Sequence, residues 1–130
     1  MIVMGLDQYA YRIPRYLRIN NLTFDNGGMD YFHGFDFHYW RKHYCLDRWM
    51  EDLYRRKGGK NEFNCNFVEL TRQDLDRLIS DIKSKNLDYE KDEYCSDEEL
   101  QRDIKDDLEF CIKAIDYINQ GYCIYYSNWW

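Results

Sequence analysis

Apolar and polar positions alternate at the start of this chain. From Ile2 to Ile13, Met4, Leu6, Gln8 and Ala10 oppose Val3, Gly5, Asp7, Tyr9 and Tyr11 with period two. That alternation, rich in β-branched and aromatic side chains, predicts a strand, and the single proline, Pro14, ends it. Residues 15–37 lose the pattern and carry turn signals at Asn20-Asn21, Asn26-Gly27-Gly28 and Gly34. The period then lengthens. Tyr39, Leu46, Trp49, Met50 and Leu53 recur at helical spacing, which predicts a helix from Phe37 to Lys57, stopped by Gly58-Gly59. Phe63–Leu70 reads as a short strand. Thr71 is placed to cap a second helix reaching about Lys85, with Leu75, Leu78, Ile79 and Ile82 on one stripe. Ser96 is placed to cap a third, striped by Leu100, Ile104, Leu108, Cys111, Ile112, Ile115 and Ile118 and ended by Gly121. Tyr122–Ser127 closes the chain as a strand. The sum is an α+β fold: a small antiparallel sheet that includes both terminal strands, packed against about three helices.

Length and composition narrow the class. The 130 residues fit one domain spanning 1–130, with no internal repeat or linker. Charged residues make up 32% of the chain, a share that also suits a disordered chain; aromatics make up 18%, which such chains lack, so a packed core is expected. The first residues lack the basic start of a secretory signal, and no run approaches the ~20 apolar residues of a membrane span. Five widely spaced cysteines (Cys45, Cys65, Cys95, Cys111, Cys123) form no CxxC pair and read as buried thiols of a cytoplasmic protein.

Charge is divided along the chain. Residues 1–60 hold ten basic against seven acidic residues, and residues 61–130 eight against seventeen. An acidic half of this kind steers basic partners toward itself. Asp92, Glu93, Asp97, Glu98, Asp106 and Glu109 are the candidate contact residues there. Glu98/Arg102, Arg102/Asp106 and Glu109/Lys113 stand at helical i,i+4 spacing.

Candidate chemistry is sparse. GxSxG, HExxH, Walker A and GxGxxG are all absent, so no catalytic residue is assigned and no cofactor is expected. His33, His38 and His43 are spaced by five, which turns neighbours roughly 140° apart on a helix and does not gather a metal site. Asp88, Glu90, Asp92, Tyr94, Ser96 and Glu99 fall on the ligand places of a calcium loop, but Glu93 stands where its tight turn needs glycine, so no calcium is expected. Tyr9, Tyr11, Arg12, Arg15, Tyr16 and Arg18 interleave rings and guanidinium groups as base-stacking surfaces do. The net charge of −6 argues against direct nucleic-acid binding.

Three segments carry a resemblance. Met4-Gly5-Leu6-Asp7-Gln8-Tyr9, Tyr39-Trp40-Arg41-Lys42 with Trp49, and Tyr125-Tyr126-Ser127-Asn128-Trp129 resemble the "MGLDMYL", "YWRKANxIHxWF" and "FYYxSSW" segments of a family of small bacteriophage and prophage proteins. Cys65, Leu70-Thr71 and the helix that follows are similar to a fourth segment. Asp47 replaces the histidine of the second motif, and His43-Tyr44 replace its Ala-Asn. The resemblance implies a phage origin and a host cytoplasm.

Two functional expectations follow. The first is a phage accessory protein that binds a host protein through its acidic surface, as an inhibitor of a nucleic-acid-handling or defence enzyme would. The second is a pocket for a small anionic ligand or nucleotide around Asp7, Arg41, Lys42 and Tyr125. Structurally, Asp7 and Arg41 are expected to share a charge-assisted bond, and Trp40, Trp49 and Trp129 to pack the first helix on the sheet.

Overall fold

The computed structural model describes residues 5–18, 34–89 and 96–130. Four strands form one antiparallel sheet: β1 (Asp7–Pro14), β2 (Asp36–Arg41), β3 (Phe67–Leu70) and β4 (Tyr122–Trp129), in the order β2-β1-β4-β3. Three helices accompany it: α1 (Tyr44–Arg56), α2 (Arg72–Lys83) and α3 (Asp97–Asn119). Strands β1 and β4 pair over eight residues, from Asp7 opposite Trp129 to Pro14 opposite Tyr122. The expected sheet, built on the first and last strands, is the one observed.

Register sorts the side chains onto two faces. Gln8, Ala10 and Arg12 stand opposite Asn128, Tyr126 and Ile124, and Val68 and Leu70 continue that face through β3. The three helices bury Leu46, Met50, Leu53 and Tyr54 (α1), Leu75, Leu78 and Ile82 (α2), and Phe110, Cys111 and Ala114 (α3) in the same cluster. Each such aliphatic side chain contributes about 1.5–3 kcal/mol by leaving water. Tyr11, Ile13, Phe67, Cys123 and Tyr125 form a second cluster on the opposite face. Strand β4, lying between β1 and β3, is therefore buried on both sides.

The first helix starts later than its periodicity predicts. Asp36–Arg41 is strand β2, not helix, and it pairs with β1 from Asp7↔Arg41 to Ala10↔His38 before a bulge. His38-Tyr39-Trp40-Arg41 alternates with period two, and Trp40, opposite Gln8, is 5% exposed in the core. Lys42, at φ 57°, turns the chain, and His43 precedes the first turn of α1. Trp49 packs toward α2, donating Nε1–H to Asp81 at 2.8 Å, and Trp129 is largely exposed. Of the three tryptophans, Trp40 is buried in the core, Trp49 is partly buried against the same cluster, and Trp129 stays outside it.

Both later helices begin at their expected caps. Thr71 and Asp74 close a reciprocal capping box, joined by Lys57 from the end of α1. Burial alone would raise the Asp74 carboxyl, but the bonds from Lys57 and Thr71 hold it below the usual range. Ser96 accepts from the Glu99 amide at the start of α3. The α3 stripe differs from expectation at two places: Ile112 is two-thirds exposed, and Asp107 is 1% exposed. Asp107 belongs to the series Leu100, Ile104, Asp107, Cys111, Ala114, Ile118, so a carboxylate occupies a core position of the helix. Trp40 Nε1 meets its Oδ1 at 3.0 Å, while the His43 ring and the Tyr89 hydroxyl reach its Oδ2.

Candidate functional site

The end of the sheet where β1 stops and β4 starts gathers the basic residues. Pro14 has no amide hydrogen to continue the ladder, and Arg15–Leu17 turns as a single 3₁₀ turn. The Arg15 amide donates to the Gly121 carbonyl at 3.0 Å, which ties this turn to the reverse turn between α3 and β4. Arg15 and Tyr16 thereby lie beside Tyr122. From the other side, β3 delivers Glu69 and Leu70 and then the capped start of α2 at Thr71 and Arg72.

These segments enclose a cleft of about 250 Å³ lined by Arg15, Arg18, Glu69, Thr71, Arg72 and Tyr122, among others. Arg15 and Tyr122 also line an adjoining open groove with Pro14, Tyr16 and Gln120. Three arginines and the start of α2 line the cleft together with the Glu69 carboxylate; Arg72 also bonds Asp76 at 3.2 Å, and Asp74 caps the helix. That carboxylate, Glu69, is already engaged: Arg18 donates Nη2–H at 2.9 Å and Nε–H at 3.2 Å to its Oε1. The same bond keeps Arg18 more firmly protonated. Cys123 lines the cleft as a neutral thiol, pushed up by burial and by Glu69, against the opposing pull of Arg18 and Arg15. Tyr16, 85% exposed, presents its ring to solvent beside this charge.

The residues singled out from the sequence lie elsewhere. Asp7 and Arg41 are opposite one another on β1 and β2, yet they form no ion pair; Asp7 accepts instead from the Tyr39 hydroxyl at 2.6 Å. Arg41 and Lys42 are exposed. Tyr125 is fully buried in the second cluster, facing Tyr11 across β1 and β4. None of these four lines the clefts described here. On α3, Asp97, Glu98 and Glu109 are exposed, while Asp106 contacts the His38 ring at 2.9 Å. The three expected i,i+4 pairs do not close as ion pairs, and Arg102, Lys105 and Lys113 share the exposed surface with the acids. Asp92, Glu93 and the middle of the calcium-like segment lie outside the described residues.

The three resembling segments converge around Asp47. Gln8 brackets the His43 backbone, accepting from its amide at 2.8 Å and donating to its carbonyl at 3.0 Å. Gln8 also donates to the Tyr126 hydroxyl at 2.9 Å, which donates to Asp47 Oδ1 at 2.7 Å. Asn128 donates Nδ2–H to the same oxygen at 2.7 Å and to the Phe63 carbonyl at 2.9 Å. Burial pushes the Asp47 carboxyl up to about 6, against these two donors. The chain of bonds fastens the start of α1 to β1 and β4, so it explains the motif set by packing where Asp7 and Arg41 do not.

Arg15, Tyr16 and Arg18 belong to the ring-and-guanidinium stretch visible in the sequence, but Arg72 and Tyr122 join them only through the sheet order. Among the described residues, no group of three His, Cys, Asp or Glu is placed to hold a metal ion, and no helix is long and apolar enough to cross a membrane. Compared with family models, with curated proteins and with solved structures, the chain shows no significant match to any of them, and its functional reading rests on its own geometry.

Proposed function

We propose that this chain is a binding module for a small phosphate-bearing ligand with a planar ring, of the nucleotide class. The observation that carries the reading is the cleft of about 250 Å³ with Arg15, Arg18 and Arg72 around it, opening onto exposed Tyr16. Guanidinium forks match phosphate oxygens in pairs, and a tyrosine face stacks any base without selecting among them. The anionic-ligand expectation thus moves from the Asp7–Arg41 corner to the opposite end of β1.

Isothermal titration with inorganic phosphate, AMP and adenosine tests this. AMP should bind tightest and adenosine weakest. Removing a charged partner costs about 1.5–3 kcal/mol, so Arg15→Ala or Arg72→Ala should weaken AMP and phosphate by roughly tenfold or more. Tyr16→Ala should weaken AMP and leave phosphate unchanged. Absence of phosphate and AMP binding at millimolar concentration rejects the reading.

A second reading, attachment of a phage accessory protein to a basic face of a host protein, draws on exposed Asp97 and Glu98 at the start of α3 and on Ile112, 66% exposed further along it. Capture from host lysate that weakens steeply with salt and is lost in Asp97→Lys/Glu98→Lys supports it. Capture unchanged by that variant removes it.

A further inference from the structure

At the other end of the sheet, a cysteine, a histidine and an aspartate stand in line. Cys45 is the second residue of α1, a helix of 13 residues, and its thiol lies at the positive end of that helix. Its Sγ is 3.6 Å from Nδ1 of His43. The other ring nitrogen, Nε2, is 2.6 Å from Oδ2 of Asp107. Residues of three elements meet here: His43 follows β2, Cys45 opens α1, and Asp107 projects from the core stripe of α3. Cys45 also lines a cleft of about 160 Å³, with Arg48, Trp49, Asp52, Asn86 and Asp88 around it.

The hydrogen bonds fix the ring's protons. Asp107 takes Trp40 Nε1–H on one oxygen and the Tyr89 hydroxyl on the other, so both oxygens act as acceptors. The nitrogen facing it, Nε2, therefore carries the proton of the neutral ring. That leaves the proton off Nδ1, the nitrogen that faces the thiol at 3.6 Å. The bond to Asp107 alone sets this tautomer, and the position of Cys45 adds a thiol on the side of the unprotonated nitrogen. A nucleophile, its base and a group that orients the base require that arrangement.

We infer that Cys45 is the nucleophile of a thiol acyl-transfer site, with His43 as its general base, Asp107 as the positioning residue, and esters of small carboxylic acids as the substrate class. The thiol proton passes to Nδ1 as sulfur bonds to the carbonyl carbon. The carbon–oxygen bond to the alcohol then breaks, and Nδ1 returns the proton to the departing oxygen. Water next bonds to the same carbon, its proton passing to Nδ1; the carbon–sulfur bond breaks and the proton returns to sulfur, releasing the acid. The N-terminal dipole of α1 favours negative charge on the sulfur and on the tetrahedral oxygen. The cleft volume limits the acyl part to a few carbons. This site is separate from the arginine cleft and stands or falls independently of it.

The test uses the full chain with p-nitrophenyl acetate and iodoacetamide, read by mass spectrometry. An acetyl adduct on Cys45, a burst of p-nitrophenol, and alkylation of Cys45 ahead of the other four cysteines are expected. Asp107→Asn retains the acceptor for Trp40 on Oδ1 but places an amide N–H where Oδ2 faced the ring and the Tyr89 hydroxyl, which inverts the tautomer and occupies Nδ1 with a proton. The burst rate should fall at least about tenfold, and alkylation should take the pH dependence of an ordinary thiol. Arg48, Asp52 and Asp88 around the cleft are unchanged in that variant, and Tyr89→Phe, which removes only the hydroxyl on Oδ2, separates the loss of that bond from the change in the ring. Should Asp107→Asn fail to fold, His43→Gln supplies the same comparison, and the wild-type adducts decide alone if neither folds. Acetylation or alkylation of other cysteines before Cys45, or a folded Asp107→Asn with an unchanged burst, overturns the inference.

Discussion

Asp47 shows how one buried carboxyl sets a pH response. Its carboxyl sits near 6 in the folded chain against 3.8 for the free group, because burial disfavours the charged form more than Tyr126 and Asn128 restore it. The folded state therefore binds this proton more tightly than the unfolded state. The stabilisation is complete below about pH 4 and is lost as pH rises through about 6. At roughly 1.4 kcal/mol per pH unit, the change is of the order of 3 kcal/mol. Asp47→Asn keeps an acceptor oxygen for both donors and removes the charge. Its melting temperature should exceed wild type at pH 7.5 and match it near pH 4, as thermal melts across that range will read. The sequence marks Asp47 only as a departure from the resembling histidine. Its partners, Tyr126 and Asn128, lie about 80 residues away and meet it through the β1–β4 register.

Elements were legible wherever one period dominated. The capped helices at Thr71 and Ser96 begin where hydroxyl and acidic spacing place them, since capping is a local interaction. Strand β2 was not legible as a strand, because Phe37–Arg41 carries aromatics that suit either period and the decisive partner, β1, is distant in sequence. Asp107 was legible in hindsight of the stripe alone: its i,i+3 and i,i+4 neighbours are Ile104 and Cys111. Two tests belong at this scale. Thr71→Ala removes the cap that Asp74 and Lys57 complete and should cost about 1 kcal/mol in denaturant unfolding. Gly59 follows α1 with the buried Tyr54 ring against it: a Cβ there would lie 2.4 Å from the ring. Gly59→Ala should cost about 1–3 kcal/mol, and Tyr54→Leu in the same chain should recover part of it.

Across the whole molecule, two regions of opposite chemistry occupy the two ends of the sheet. Arg15, Arg18 and Arg72 gather where β1 ends, while the Asp47 and Asp107 networks hold the start of α1 where β1 begins. Perturbing one end should leave the other intact. Arg15→Ala/Arg72→Ala should abolish AMP binding with the Cys45 alkylation rate unchanged, and Asp107→Asn should do the reverse. The overall α+β architecture followed from pattern alone, because both the alternating and the helical stripes face one core. The arginine cleft did not, since it needs β3 and β4 to carry Arg72 and Tyr122 to the turn after β1.

The place of β4 between β1 and β3 also governs the order of events during synthesis. Strands β1, β2 and β3 leave the ribosome before β4 does, and neither β1 nor β3 has its inner partner until Tyr122–Trp129 emerges. Until then the edges of β1 and β3 that β4 covers lack their partner. The sheet's two halves are joined across more than a hundred residues of chain, so they can meet only after β4 has emerged. Trigger-factor-like holdases should engage it throughout that interval and release it only when the final strand slots in.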